Sequence, residues 1–301
     1  MLGAAATGLV GMAVATAPGA SAAPESEASA GHRLEGRVVV ITGATSGIGE
    51  ATAKAFAAKG AKVAFCGRRT QLGQQVERDI RAAGGEATYI QADVRVPEQV
   101  QSFVDRSVQR YGRLDIAFNN AGVEFRNTPV HEVGVDQWDN LHNTNARGVF
   151  LAVKYEVPPM LRTGGGVIIC MSSGGAEQAR PGSAAYVASK GAVQGIVRAA
   201  ALDYGPKGIR VNAILPGTTD TALVRPPGIP DADWQRFKEA WGPLNVSGLH
   251  RMAEREEIAA AVLALTGDEF SFMTGSSVVV DGGALAGRPM IMPPGFPPPP
   301  R

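Results

Sequence analysis

A β-branched run, a glycine-rich loop and an alanine-rich stretch follow one another near the start of this chain, and few folds tolerate that order. Arg37 to Thr42 reads Arg-Val-Val-Val-Ile-Thr, the composition of a strand covered on both faces. Gly43-Ala44-Thr45-Ser46-Gly47-Ile48-Gly49 comes next. Glu50 to Lys59 then has the composition of a helix, and Gly60 closes it. Glycines let the backbone turn sharply and approach a pyrophosphate, while a helix N-terminus offers unpaired N–H groups and a positive dipole end. A plain βα turn is the alternative, and three glycines between a strand and a helix weigh against it.

Further strand-like runs occur at Lys62–Cys66, Ala87–Gln91, Leu114–Phe118, Gly166–Met171, Ile209–Ile214 and Ser277–Val280, with helical stretches between them. This alternation predicts an α/β fold, a parallel sheet of about seven strands with helices on both faces. The chain has 301 residues, enough for one large domain. With 29 Lys and Arg against 28 Asp and Glu, the net charge is +1. That balance argues against a nucleic-acid binder, which normally shows a basic stripe. The body has no transmembrane stretch of adequate length, and His32, His131, His142 and His250 lack metal-ligand spacing. Cys66 and Cys170 read as buried fillers in the second and fifth strands.

Tyr186 and Lys190 stand four positions apart in Tyr-Val-Ala-Ser-Lys, and Ser173 lies thirteen positions before the tyrosine. A spacing of four puts a phenol and an ammonium on one helix face. The positive charge favours the phenolate, so such a tyrosine can exchange a proton near neutral pH. Alone, the pair also fits an ordinary solvated helix.

Together these features resemble the short-chain dehydrogenase/reductase family. The glycine spacing is Gly-x-x-x-Gly-x-Gly, and the other motifs follow in the family's order: Asp93, Asn119-Asn120-Ala121-Gly122, Asn145, Ser173, Tyr186, Lys190, Pro216-Gly217 and Asp281-Gly282-Gly283. The resemblance spans Leu34 to Gly287 and implies a single Rossmann-type, doubly wound domain. It implies an enzyme that moves a hydride reversibly between a nicotinamide cofactor and a small-molecule carbonyl or alcohol. In the family's strand order the first and fourth strands separate the two cysteines, which puts them out of disulfide reach.

The expected cofactor cradle is Gly43, Thr45, Ser46, Gly47, Ile48 and Gly49, then Asp93 and Val94 on the adenine side, Asn120 and Gly122 after the fourth strand, and Pro216, Gly217, Thr219 and Thr221 at the nicotinamide. Tyr186 and Lys190 also touch the cofactor, Lys190 through the nicotinamide ribose. Asp93 could instead cap a helix before Pro97, and Asp220 could cap another. No acid occurs between Gly60 and Val76, where an NAD enzyme places one for the ribose 2′-OH. Arg68 and Arg69 stand there instead and suit a 2′-phosphate, so NADP is expected, with NAD as the alternative. Ser173 is expected to hold the carbonyl oxygen, with Ser172 as its competitor. Tyr186 exchanges the proton, Lys190 stabilises the phenolate, and Asn145 supports a water relay, with Asn143 as the alternative register.

Residues 222–248 read as a substrate lid in which Trp234, Phe237 and Trp241 share one helical face, either as packing or as an apolar wall. Ala184 to Leu202 is apolar almost all round, so a homodimer or homotetramer is expected to cover its outer side. Residues 1–33 form a signal-like or disordered extension whose Ala20-Ser21-Ala22 resembles a cleavage site; the enzyme is then exported, by a truncated twin-arginine-type signal, or otherwise cytoplasmic. Residues 288–301 form a proline-rich tail. A dinucleotide sensor or scaffold without chemistry is the alternative function, although such proteins usually lose the Tyr or the Lys. An epimerase or dehydratase would carry a different glycine spacing and a longer C-terminal domain.

Overall fold

The strand order β3-β2-β1-β4-β5-β6-β7 organises the molecule, and every neighbouring pair is parallel. The strands are β1 (Val38–Thr42), β2 (Lys62–Gly67), β3 (Glu86–Gln91), β4 (Ile116–Asn119), β5 (Gly166–Met171), β6 (Ile209–Pro216) and β7 (Ser277–Val280). This computed structural model describes residues 34–125, 128–288 and 294–295. The terminal segments expected at 1–33 and 288–301, and with them the export signal, fall almost wholly outside the described residues.

Eight α-helices connect and flank the strands among the described residues: α1 (Gly47–Ala58), α2 (Thr70–Ala82), α3 (Pro97–Tyr111), α4 (Val135–His142), α5 (Gly148–Arg162), α6 (Ala184–Tyr204), α7 (Asp231–Asn245) and α8 (Arg255–Leu265). Alternation along each strand divides the core. Val40, Ala64, Ala117, Ile168 and Val211 pack with Phe103 and Val104 of α3, Val153 and Val157 of α5, and Val193 and Val197 of α6. Val39, Ile41, Val63, Phe118 and Ile169 face the other way, toward Phe56 of α1, Ile80 of α2 and Val262 of α8. Each fully buried side chain of this size stabilises the fold by roughly 1.5–3 kcal/mol.

Strand order reverses between β1 and β4, and the loops after their carboxyl ends must share the resulting crevice. They are in contact. Gly43 has φ +70°, and a Cβ there would lie 2.7 Å from Ala121 Cα. Glycine is therefore required twice over, by conformation and by space. Cys66 and Cys170 are buried and free. They sit in one row with Thr42 and Asn119 across β2, β1, β4 and β5, so two strands separate the thiols, as the family resemblance implies.

A π turn over Asn143–Arg147 joins α4 to α5. Wide turns of this kind often mark functional sites, because the extra residue re-aims its neighbours. Here the turn directs Asn145 into the interior, where it is fully buried.

Candidate active site

A cleft of about 660 Å³ opens above the carboxyl ends of the strands at the switch point. The glycine loop forms one wall through Gly43, Thr45, Ser46, Gly47 and Ile48. Ser46 precedes α1 without capping it through its side chain, so the first amides of the helix lack that partner, and Gly47 and Ile48 at this end line the cleft. Arg69 closes the same corner. Its guanidinium donates to Thr45 Oγ1 at 2.8 and 3.1 Å and to Ser46 Oγ at 2.5 Å. Arg68 lines the cleft beside it. Helix amides, hydroxyls and two guanidiniums make a donor set that fits a phosphorylated dinucleotide.

Asp93 and Val94 lie farther along the wall. Arg95 grips the Asp93 carboxylate through Nε and Nη2, and the Arg95 amide also donates to it. Burial would raise this carboxyl, but the Arg95 bonds and charge prevail and hold it below the usual range. Asp93 does not cap α3, whose N-cap is Val96. Asn120 Nδ2 donates to the carbonyls of Thr42 and Gly43, both at 3.1 Å, bracing the glycine loop from behind. Gly49 supports the loop from outside the cleft. A Cβ there would lie 2.5 Å from Asn120 Nδ2.

Ser173, Tyr186 and Lys190 meet at the far end of the cleft. Ser173 follows β5, and its Oγ accepts the Gly175 amide at 3.0 Å, which orients the hydroxyl. Its competitor Ser172 is buried and donates to the Lys190 carbonyl at 3.0 Å, tying β5 to α6. Lys190 Nζ donates to the Met171 carbonyl at 2.9 Å and lies 5.8 Å from the centre of the Tyr186 ring. Burial pushes this ammonium down to about 8, opposed by the charge of Glu124.

Asn145 stands behind this cluster and does not line the cleft. Its Oδ1 accepts the Val123 amide at 2.8 Å, and its Nδ2 donates to the Val123 carbonyl at 2.9 Å and to Ser189 Oγ at 3.1 Å. A Cβ on Gly122 would lie 3.4 Å from both Asn145 Oδ1 and Lys190 Nζ, so Asn145 stands close to the lysine across Gly122. Its side chain ties the β4 loop to α6.

Pro216, Gly217, Thr219 and Thr221 line the same cleft, beyond the Ser173–Tyr186–Lys190 cluster. The three aromatics expected to share one face of α7, in contrast, separate. Trp234 is 3% exposed and donates to Asp220 Oδ1 at 2.8 Å; Phe237 stacks on it from outside, and of the three only Trp241 lines the cleft. Asp220 caps no helix. It accepts from Trp234 and from Lys238 and so pins α7 to the loop carrying Thr219 and Thr221.

Sequence reasoning missed several residues of the site. Glu124, Gln178, Arg180, Leu223 and Leu285 line the cleft from irregular segments, where no periodicity marks them. Glu156 was missed too. It is fully buried on α5, and the offsets Val149, Val153, Glu156, Met160 place it in an apolar stripe, a signal present in the sequence.

Fold and cleft define a dinucleotide-binding α/β protein with a Ser–Tyr–Lys cluster at the reacting end. Comparison with known proteins agrees. A family model described as enoyl-(acyl carrier protein) reductase matches residues 43–284. The A-factor type gamma-butyrolactone 1'-reductase (1S-forming) of Streptomyces virginiae is 42% identical over 257 residues, 83% of this chain and 96% of that protein. The cyclohexanol dehydrogenase of an Acinetobacter species is 35% identical over 251 residues, 83% of this chain and 96% of the relative. The ligand-free aldohexose dehydrogenase of Thermoplasma acidophilum superposes with a TM-score of 0.78 at 32% identity, covering 87% of this chain and 99% of that structure. The chain belongs to the short-chain dehydrogenase/reductase family. It is an oxidoreductase acting on alcohol and carbonyl groups, and the family's cofactor is a nicotinamide dinucleotide.

Among the described residues, no group of three or more His, Cys, Asp or Glu could hold a metal ion, and no helix is long and apolar enough to cross a membrane.

Proposed function

We propose that this enzyme interconverts a cyclic secondary alcohol and its ketone with NADP(H). The observation that carries the cofactor choice is the corner formed by Arg68, Arg69, Thr45 and Ser46, in a segment with no Asp or Glu between Gly60 and Val76. The bound dinucleotide supplies or accepts the hydride. The residues supply aim and proton management. Ser173 donates a hydrogen bond to the substrate oxygen, and Tyr186 gives that oxygen a proton during reduction or takes it during oxidation. Lys190 holds positive charge near the phenol and the cofactor ribose. A water relay past Asn145 returns the proton to solvent.

The substrate class rests on the remaining walls. Leu223, Val224, Trp241 and Leu285 make an apolar lining, with Gln178 and Arg180 also on the cleft wall. One relative is named for cyclohexanol, a ring alcohol, and another for a compound containing a gamma-butyrolactone ring, and such rings suit these walls. A homodimer or homotetramer is proposed from α6, whose outer side leaves Ala188, Ala192, Gly195, Ala199 and Leu202 exposed. A monomer at micromolar concentration in light scattering would exclude it.

The test has two parts. Tyr186→Phe should fold, bind cofactor and lose nearly all turnover; retained turnover would remove Tyr186 from the mechanism and revive the sensor reading. Arg68→Ala and Arg69→Ala should weaken NADPH at least tenfold while barely changing NADH, since a bidentate guanidinium–phosphate contact contributes roughly 1.5–3 kcal/mol. Equal losses for both cofactors would refute the NADP assignment.

A further inference from the structure

Glu156 has no part in the mechanism above, yet it is completely buried beneath the cofactor loops. Its Oε2 accepts from Asn119 Nδ2 at 2.9 Å. The two oxygens left over, Glu156 Oε1 and Asn119 Oδ1, are both buried with no hydrogen-bond partner. Two acceptors cannot satisfy each other, and an ionised carboxylate with one neutral donor in a dry core is a costly arrangement. One proton on the carboxyl turns an acceptor into a donor and resolves both deficits.

We infer that Glu156 is a carboxylic acid in the folded enzyme, whose O–H serves the Asn119 amide oxygen while the amide N–H serves the acid, and that this reciprocal pair is a positioning device for the cofactor loop. The surroundings support the neutral form. Cys170 on β5 and Cys66 on β2 flank the site as thiols; burial raises both, Cys66 to about 12. Asp93 acts on Cys66, and Lys190 of α6 acts on Cys170. From α3 and α6 the same core receives Phe103, Val104, Val193 and Val197, which carry no charge. Burial raises Glu156 to about 7, opposed only by the Asn119 bond.

The path from this pair to the cofactor loop is short. Asn119 ends β4, and the next residues are fixed at once: the Asn120 and Ala121 amides both donate to Thr42 Oγ1 at 3.1 Å. The Asn120 side chain then holds the Thr42 and Gly43 carbonyls. Ionising Glu156 breaks the reciprocal contact and places a negative charge under the strand end that carries this bracing. The inference rests on the dinucleotide reading of the cleft for its functional consequence, but the protonation state can be read without any cofactor.

Infrared spectroscopy of the wild-type protein carrying isotope-labelled glutamate should show a buried protonated-carboxyl band at about pH 6 that fades as the pH rises through about 7. The band should be missing from Glu156→Gln, whose amide replaces the O–H donor. NADPH and NADH affinities, read by fluorescence titration, should each weaken roughly tenfold in the wild type between about pH 6 and 9, beyond any change shown by Glu156→Gln. A wild type lacking the band at the acidic end overturns the inference, whether or not the variant folds. Identical pH profiles for the two proteins would remove the positioning role. Loss of NADPH preference alone would bear on Arg68 and Arg69 and leave this inference intact.

Discussion

Replacing Lys190 with methionine should make the enzyme more stable and inactive. The ammonium is buried and falls from 10.5 to about 8 because the interior disfavours its charge. At ~1.4 kcal/mol per pH unit that fall corresponds to roughly 3 kcal/mol of cost to the folded state at neutral pH. Methionine has similar length and no charge, so the variant sheds this cost. It also leaves the Met171 carbonyl without its donor, a loss of about 1–2 kcal/mol. The net expectation is a gain of about 1–2 kcal/mol at pH 7. The pH dependence identifies the cause. Between the folded and unfolded values the native protein binds fewer protons than the unfolded chain. The wild type is therefore penalised fully below about pH 8, recovers as the pH rises, and loses the penalty above 10.5. Urea unfolding of both proteins at about pH 7, 8 and 9.5 would show the gap closing, while nicotinamide absorbance reports the lost turnover. If Lys190→Met is less stable than wild type at pH 7, or the gap does not change with pH, the ammonium is not held against a desolvation cost and the reasoning fails.

Asp220→Ala should loosen α7. It strands the buried Trp234 N–H and leaves the Lys238 ammonium with Glu254 at 3.9 Å in place of its close partner, and should cost roughly 2–3 kcal/mol. The expected signature is a raised substrate KM and faster proteolysis within 222–248, together with weaker dinucleotide binding because Asp220 holds the loop that carries Thr219 and Thr221; unchanged proteolytic protection would contradict the latch. Gly43→Ala should cost at least 1–2 kcal/mol from its left-handed backbone alone, with the approach to Ala121 adding more, and should weaken both cofactors together. A thermal melt and a dinucleotide titration matching wild type would show that the loops can move apart. Ser172→Ala should lower stability by about 1 kcal/mol and spare the chemistry, whereas Ser173→Ala should lower kcat; the reverse pattern would reassign the serine.

The sheet was legible because β1, β5, β6 and β7 carry runs of Val and Ile, and because Gly43, Gly47 and Gly49 sit between a strand and a helix. The reacting cluster was legible because Tyr186 and Lys190 lie on one helix, where spacing fixes geometry. Other features depend on contacts that spacing does not encode. The π turn at Asn143–Arg147 differs from an α turn by one residue, and tertiary packing decides between them. Trp234, Phe237 and Trp241 share a helical face, yet only the fold determines that the first is an anchor, the second an outer plate and the third a wall. Glu156 looks like one more charge in Lys-Tyr-Glu-Val, and its depth emerges only when the stripe from Val149 to Met160 is traced.

The touch between Gly43 and Ala121 also limits how this protein can be recombined with its relatives. A chimera that takes the first loop from one parent and the fourth-strand loop from another joins surfaces with no slack between them, since even a single methyl would sit 2.7 Å from the opposite backbone. Crossovers should therefore keep residues 43–122 together as one inheritance block. Breakpoints belong in the outward turn at Gly164, where a methyl would meet nothing.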